Sequence, residues 1–255
     1  MNVLDSTLGS MNFDWKDVFK GTPVLDERVL EHLRTTYVLL AVTAATASAG
    51  CAAAIFIPGM LWLMSGFIGR ILCFAATSFL GAAVANSTGS AKIGMLMAFG
   101  GAVGASLAPL ISLAADVDPA LVLSAALVTV AIFGTFTFIA MLTSDRPMLY
   151  LGGMLMSALG WMFFAGMINT LLGARTLFMT VELFFGLFIF CGFVIFDTQV
   201  LLARADEKLA AGGRLTTDDA ATAAVRLFLD AVNIFVRVLI ILIRNSQKKE
   251  RKERK

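Results

Sequence analysis

The sequence predicts an all-α integral membrane protein, and three observations carry that prediction. Hydrophobic residues make up 58% of the 255 positions and charged residues only 15%, against roughly 45–50% and about 25% in soluble domains. The apolar residues fall into long runs separated by short polar turns, most of them long enough to cross a hydrocarbon core of roughly 30 Å. The charges gather in those turns and at the two ends, so a net charge of +2 conceals an uneven distribution. This pattern excludes a soluble fold and gives no general basic surface for nucleic acid.

Taken in order, residues 1–34 form a polar arm whose Lys16, Lys20, Arg28 and Arg34 precede the first apolar run, unlike a cleavable signal. Phe13, Trp15, Val18 and Phe19 suit a short amphipathic piece at the membrane surface. His32, the only histidine, is expected at a solvated position before the first span, which leaves zinc and imidazole chemistry almost nothing to use. The membrane domain, 35–244, begins with the charge-free run 35–57, turned by Pro58-Gly59. The second run, 60–85, contains Arg70, an internal counter-charge or a snorkelling side chain. The third, 93–115, carries Gly100, Gly101, Gly104 and Ala105, which suit close approach between packed helices, as do Gly152 and Gly153 in the fifth. The fourth and fifth occupy 119–144 and 147–174, and the sixth, 176–199, holds Glu182 and meets Asp197 near its end. The seventh, 226–243, is far more polar, and a basic tail, 245–255, closes the chain. Cys51, Cys73 and Cys191 lie singly inside apolar segments and read as small core residues.

Lys and Arg counts orient the bundle. With the N-terminus in the cytoplasm, nine bases before the seventh helix fall on that side and only Arg175 on the other. The tail conflicts with this count: Lys248, Lys249, Arg251, Lys252, Arg254 and Lys255 also prefer the cytoplasm, yet seven crossings would end outside. The seventh helix therefore either crosses against the rule or is re-entrant, and both outcomes place it inside the bundle.

That helix carries Arg226, Asp230, Asn233 and Arg237 at spacings of four, three and four, one stripe at 3.6 residues per turn. A polar stripe in lipid must face other helices or water; the alternative is a helix lying flat on the surface. Asp197 is the second candidate, because two carboxylates held together in a low-dielectric site share a proton and titrate as a coupled pair. Glu182 lies about 22 Å along the helix from Asp197 and belongs near the opposite mouth.

The residues Cys191–Gln199 (CGFVIFDTQ), Leu227–Phe235 (LFLDAVNIF) and Tyr150–Leu159 (YLGGMLMSAL), with the basic tail, resemble the Bax inhibitor motif family, specifically its eukaryotic branch, over essentially the whole chain. The resemblance implies a seven-helix bundle, six helices around a central polar C-terminal one, with no enzymatic activity. It implies a pH-sensitive calcium leak gated by the family's paired aspartates, which fall on Asp197 and Asp230. Calcium is then the transported species, held weakly and transiently by those two residues, and no cofactor is involved. It further implies residence in the endoplasmic reticulum membrane, suppression of cell death, and partners among Bcl-family proteins besides lipids, calcium and protons.

The sequence departs from the family pattern where some relatives carry an arginine cluster that latches the sixth-helix aspartate. Here Asn86 to Lys92 offers only Lys92, and Arg226 is a candidate replacement counter-charge. Two carboxylates, Asn233 and a few carbonyls fall short of the roughly six to eight oxygens of a tight calcium site, so conduction fits better than storage. A calcium–proton exchanger is the mechanistic neighbour. A non-conducting adaptor acting through the tail is the rival from another class. An intramembrane aspartyl protease requires a Gly-x-Gly-Asp context, where Phe196-Asp197 and Leu229-Asp230 supply bulky residues instead.

Overall fold

The computed structural model describes residues 26–143, 151–172 and 177–253. These residues form eight helices and no strand: α1 (Glu27–Phe56), α2 (Met60–Ser65), α3 (Phe67–Asn86), α4 (Gly89–Val117), α5 (Ala120–Leu142), α6 (Leu151–Leu172), α7 (Leu177–Ala210) and α8 (Thr217–Glu253). Phe13, Trp15, Val18, Phe19, Arg146, Arg175, Arg254 and Lys255 lie outside the described residues.

The count of seven is corrected to eight because the second apolar run is two helices. Gly66 breaks it with an extended backbone, φ −73° and ψ 162°, and Gly69 lies so close to the Leu63 carbonyl that a Cβ there would collide with it. Glycine supplies both the bend and the close approach at little steric cost. Arg70, in the first turn of α3, is exposed, so it takes the snorkelling alternative and not the internal one.

Helix α1 starts well before the charge-free run. Asp26 caps it, accepting a hydrogen bond from the Arg28 N–H at 2.9 Å, which satisfies one of the orphan donors of the first turn. The added turns bury Val29 and Leu33 against α7 and α8. His32 is carried with them and is only 7% exposed, which overturns the expectation that it is solvated.

Among the described residues, five helices are long and apolar enough to cross a membrane: α1, α3, α4, α5 and the Thr180–Ala210 part of α7. The chain is a multi-pass membrane protein. Large apolar side chains face outward, among them Phe56, Trp62, Phe67, Phe74 and Phe188, which is the surface a bilayer covers and water does not tolerate.

Two seams organise the interior. Along α1 and α4, small residues let backbone meet backbone: a Cβ on Gly50 would strike the Gly101 carbonyl, one on Gly104 the Ala47 backbone, and one on Gly100 the Thr43 carbonyl at 2.7 Å. The expectation for Gly100, Gly101 and Gly104 holds in this form. In α6, Gly152 packs under the Phe196 ring while Gly153 faces open space. Cys51 and Cys191 are buried, and Cys73 is half-buried.

The second seam belongs to α8, which packs against α1, α4, α5 and α7 and touches α3. It contributes Ala220, Ala224, Leu227, Phe228, Ile234 and Leu239 to three separate apolar clusters. Its first turn is a capping box: the Asp219 carboxylate accepts from the Thr216 N–H at 2.8 Å while the Thr216 hydroxyl accepts from the Asp219 N–H at 3.3 Å. Asp218 accepts from the Gly89 N–H at 2.9 Å and ties this end to the start of α4. At the other end the Arg244 guanidinium reaches the Thr180 hydroxyl, 3.4 Å away, near the start of α7. Helix α8 is thus unbroken between its two tied ends and packed on four neighbours, which does not fit a helix lying flat on the surface.

Candidate functional site in the α7–α8 seam

Helices α7 and α8 run antiparallel and bring Asp197 and Asp230 carboxyl to carboxyl, from two segments well separated in sequence. Both are buried, 9% and 5% exposed. The cation that meets them is Arg226, one turn before Asp230, whose Nη1 lies 3.5 Å from Asp197 Oδ1. The spacing suggested Arg226 as a replacement counter-charge, and the structure directs it to the carboxylate on the neighbouring helix. Lys92 is instead buried in the first turn of α4, and among the described residues it forms no ion pair with Asp197.

The polar stripe of α8 is divided between two levels. Asn233 Nδ2 donates to the Leu229 carbonyl at 2.8 Å, and its Oδ1 faces Arg237 Nη1 at 3.3 Å. Arg237 turns away from the aspartates: its guanidinium covers the Phe190 ring at 4.5 Å, contacts Met162 Sδ at 3.8 Å, lies over Gly186 and feels the charge of Glu182. Arg226 and Asp230 therefore belong with Asp197, while Arg237 and Glu182 form a second level toward the opposite mouth. The tail bases Lys248, Lys249, Arg251 and Lys252 are exposed on the last turns of α8 and join neither.

Around the aspartates are polar atoms without hydrogen-bond partners among the described residues. They include Asp230 Oδ2, the Thr198 hydroxyl, both amide atoms of Gln199, and the hydroxyls of Tyr37 and Thr137. Tyr37 from α1 and Thr137 from α5 lie beside Thr198 of α7. Orphaned polar atoms in a low-dielectric interior cost free energy, so a cluster of them marks a place where protons, water or ions complete the bonding. Sequence reading missed Tyr37, Thr137, Thr198 and Gln199 because single polar residues inside apolar runs do not announce which face they occupy. The available signal was adjacency: Thr198 and Gln199 directly follow Asp197.

A cavity of about 750 Å³ lies elsewhere, between α1, α4, α5 and α8. Its wall is almost entirely apolar and includes neither aspartate, so its size does not identify the chemistry.

Residues 29–247 match the family model described as "Inhibitor of apoptosis-promoting Bax1". The chain belongs to the Bax inhibitor family. It is 33% identical over 255 residues to Bax inhibitor 1 of Oryza sativa subsp. japonica, covering 98% of this chain and 96% of the relative. It is 31% identical to Bax inhibitor 1 of Arabidopsis thaliana over 98% and 95% of the two chains, and 30% identical to Bax inhibitor 1 of Homo sapiens over the full length of both. The match to the family model contains both aspartates, Arg226 and the whole α7–α8 seam of this family member.

Proposed function

We propose that this protein is a pH-sensitive calcium leak of the endoplasmic reticulum membrane, without enzymatic activity, which lowers luminal calcium and suppresses cell death. The observation that carries the reading is the buried Asp197–Asp230 pair with Arg226 as its nearest cation. Arg204 also acts on Asp197, so the two carboxylates face two guanidiniums. A single proton shared between the carboxyls bonds oxygen to oxygen, draws α7 and α8 together and halves the negative charge that would attract a cation. Loss of that proton sets two carboxylate charges side by side in a low-dielectric seam. Repulsion then separates the carboxylates and favours calcium entry. Among the described residues no third acidic, His or Cys side chain completes a metal cluster with this pair, so bound calcium holds few protein oxygens and leaves readily.

The relatives' names speak of inhibiting Bax, and protection from cell death is carried to this chain on that basis, with Bcl-family proteins as candidate partners. The rival adaptor reading requires the tail and the cytoplasmic segments to act on one side. A full crossing by α8 from a cytoplasmic N-terminus would put the tail in the lumen, away from the cytoplasmic segments, and such an arrangement counts against that rival. A calcium–proton exchanger uses the same two aspartates and differs only in obligatory proton counter-flow.

Calcium efflux from liposomes holding the purified protein, followed across about pH 5 to 8, tests the reading. Efflux that rises with pH in the wild type, and loses that dependence in Asp197→Asn and Asp230→Asn, supports it. Equal silence of all three folded proteins overturns it. Stoichiometric proton movement against calcium assigns the exchanger.

A further inference from the structure

A second polar cavity, about 120 Å³, opens where the start of α1, the last turns of α7 and the first turns of α8 meet. Its polar wall consists of His32, Arg204, Lys208, Asp219, Thr222 and Arg226. Three permanent cations thus face one carboxylate, and that carboxylate is already engaged: Asp219 Oδ2 holds Lys208 Nζ at 2.6 Å and the Thr216 hydroxyl at 2.6 Å. Arg204 makes no hydrogen bond or salt bridge among the described residues; it feels Arg226, a like charge, and at longer range the Asp197 carboxylate. Arg226 reaches Asp197 only at 3.5 Å, longer than the roughly 2.7–2.9 Å of a well-made charge-assisted bond, so most of its five N–H donors stay available. The His32 imidazole is buried against the same cavity without a hydrogen bond among the described residues.

Two guanidiniums lining one small pocket repel, and the single carboxylate of Asp197 that both feel offsets only one of the two charges, so a further anion between them is favoured. The planar donor fork of arginine matches phosphate oxygens two at a time. The volume is about four times the share of liquid held by one water, roughly 30 Å³, enough for one phosphoryl group with its hydration and too small for a nucleotide. The geometry points to a phosphate-binding site at this mouth, formed by Arg204, Arg226 and His32 with Lys208 at its edge, for a free phosphate or the phosphomonoester of a lipid headgroup. Because Arg226 forms both the floor of this pocket and the counter-charge of Asp197, a bound phosphate competes with Asp197 for it. This regulatory step rests on the proposed leak. Binding and leak are reciprocally coupled: phosphate holds back efflux, and opening of the aspartate pair weakens phosphate.

The test separates the two readings by measuring binding without transport. Calorimetry on the full-length protein in detergent, with inorganic phosphate titrated at constant ionic strength, is expected to give saturable binding in the millimolar range or tighter, weakened about tenfold or more in Arg204→Gln and in Arg226→Gln. Arg28→Gln removes the same charge from the same end outside the pocket and is expected to bind as the wild type does. A second arm compares binding of short-chain phosphatidylinositol phosphate with that of short-chain phosphatidylserine. Saturable, Arg204-dependent binding of the phosphomonoester lipid alone assigns the lipid source, whereas binding of inorganic phosphate assigns the free one. Absence of both, or equal affinity in wild type and Arg204→Gln, overturns the site. Phosphate binding with silent liposomes leaves the pocket standing and removes the leak; pH-dependent efflux without phosphate binding does the reverse.

Discussion

The α1–α4 seam and the α7–α8 seam join helices of similar length and are built on opposite principles. In the first, glycines and alanines bring backbones into direct contact, with Gly50, Gly100 and Gly104 leaving no room for a methyl group. The contact is made by backbone and small side chains. In the second, two acids, a guanidinium and several unpartnered hydroxyl and amide groups occupy the interior, where each polar atom prefers a partner it has not fully obtained. Dense apolar packing resists deformation, whereas a polar seam short of partners has more than one acceptable arrangement and responds to a proton. One seam fixes the scaffold and the other is free to switch.

The largest effect is expected from breaking the fixed seam. Gly104→Leu drives a side chain into the Ala47 backbone, and the loss exceeds the usual overpacking cost of about 1–3 kcal/mol; no monodisperse protein should be recovered by size-exclusion chromatography in detergent. A matched substitution in the other seam should behave differently. Asp230→Asn is expected to leave the Tm near or above that of the wild type, because it keeps the shape of the side chain and removes a buried group that can ionise, while flattening the pH dependence of calcium efflux. A large fall in its Tm would show that the second seam is as structural as the first.

Finer changes sharpen the contrast. Arg226→Gln removes the cation 3.5 Å from Asp197, so the aspartate pair keeps its proton more readily and the pH of half-maximal efflux should rise by about one unit. An unchanged midpoint would remove Arg226 from the gate.

The α7–α8 turn supplies a smaller effect of known sign. Burial works against the Asp219 charge, but hydrogen bonds from Lys208 and Thr216 outweigh it and hold the carboxyl below its ordinary range. Stability from this group is therefore present above the unfolded value of about 3.9 and is lost as pH falls through the lower folded value. Asp219→Asn should cost about 0.5–1 kcal/mol near neutral pH, discounted because about a third of the pair is exposed. The Tm difference from wild type should close in acid. The smallest effect is expected from replacing Lys248, Lys249, Arg251 and Lys252 with Gln, which should leave efflux unchanged because these exposed bases join neither polar level of α8.

Much of this arrangement was legible from one dimension. Runs of apolar residues fixed the all-helical membrane class, since a backbone in lipid must satisfy its own hydrogen bonds. The spacing of Arg226, Asp230, Asn233 and Arg237 marked α8 as interior. The glycines of the third run marked only a close-packing face, with α1 as its partner decided by the fold; the rest are local properties, set by composition and by 3.6 residues per turn. What the chain order could not convey was which polar residues meet. Arg226 pairs across the seam with Asp197, Arg237 leaves the stripe for Phe190 and Glu182, His32 is drawn inside by the early start of α1, and Tyr37 and Thr137 converge on Thr198. Such pairings depend on the rotation and depth of each helix against its neighbours, which arise from the packing of all the side chains together and are written in no single segment.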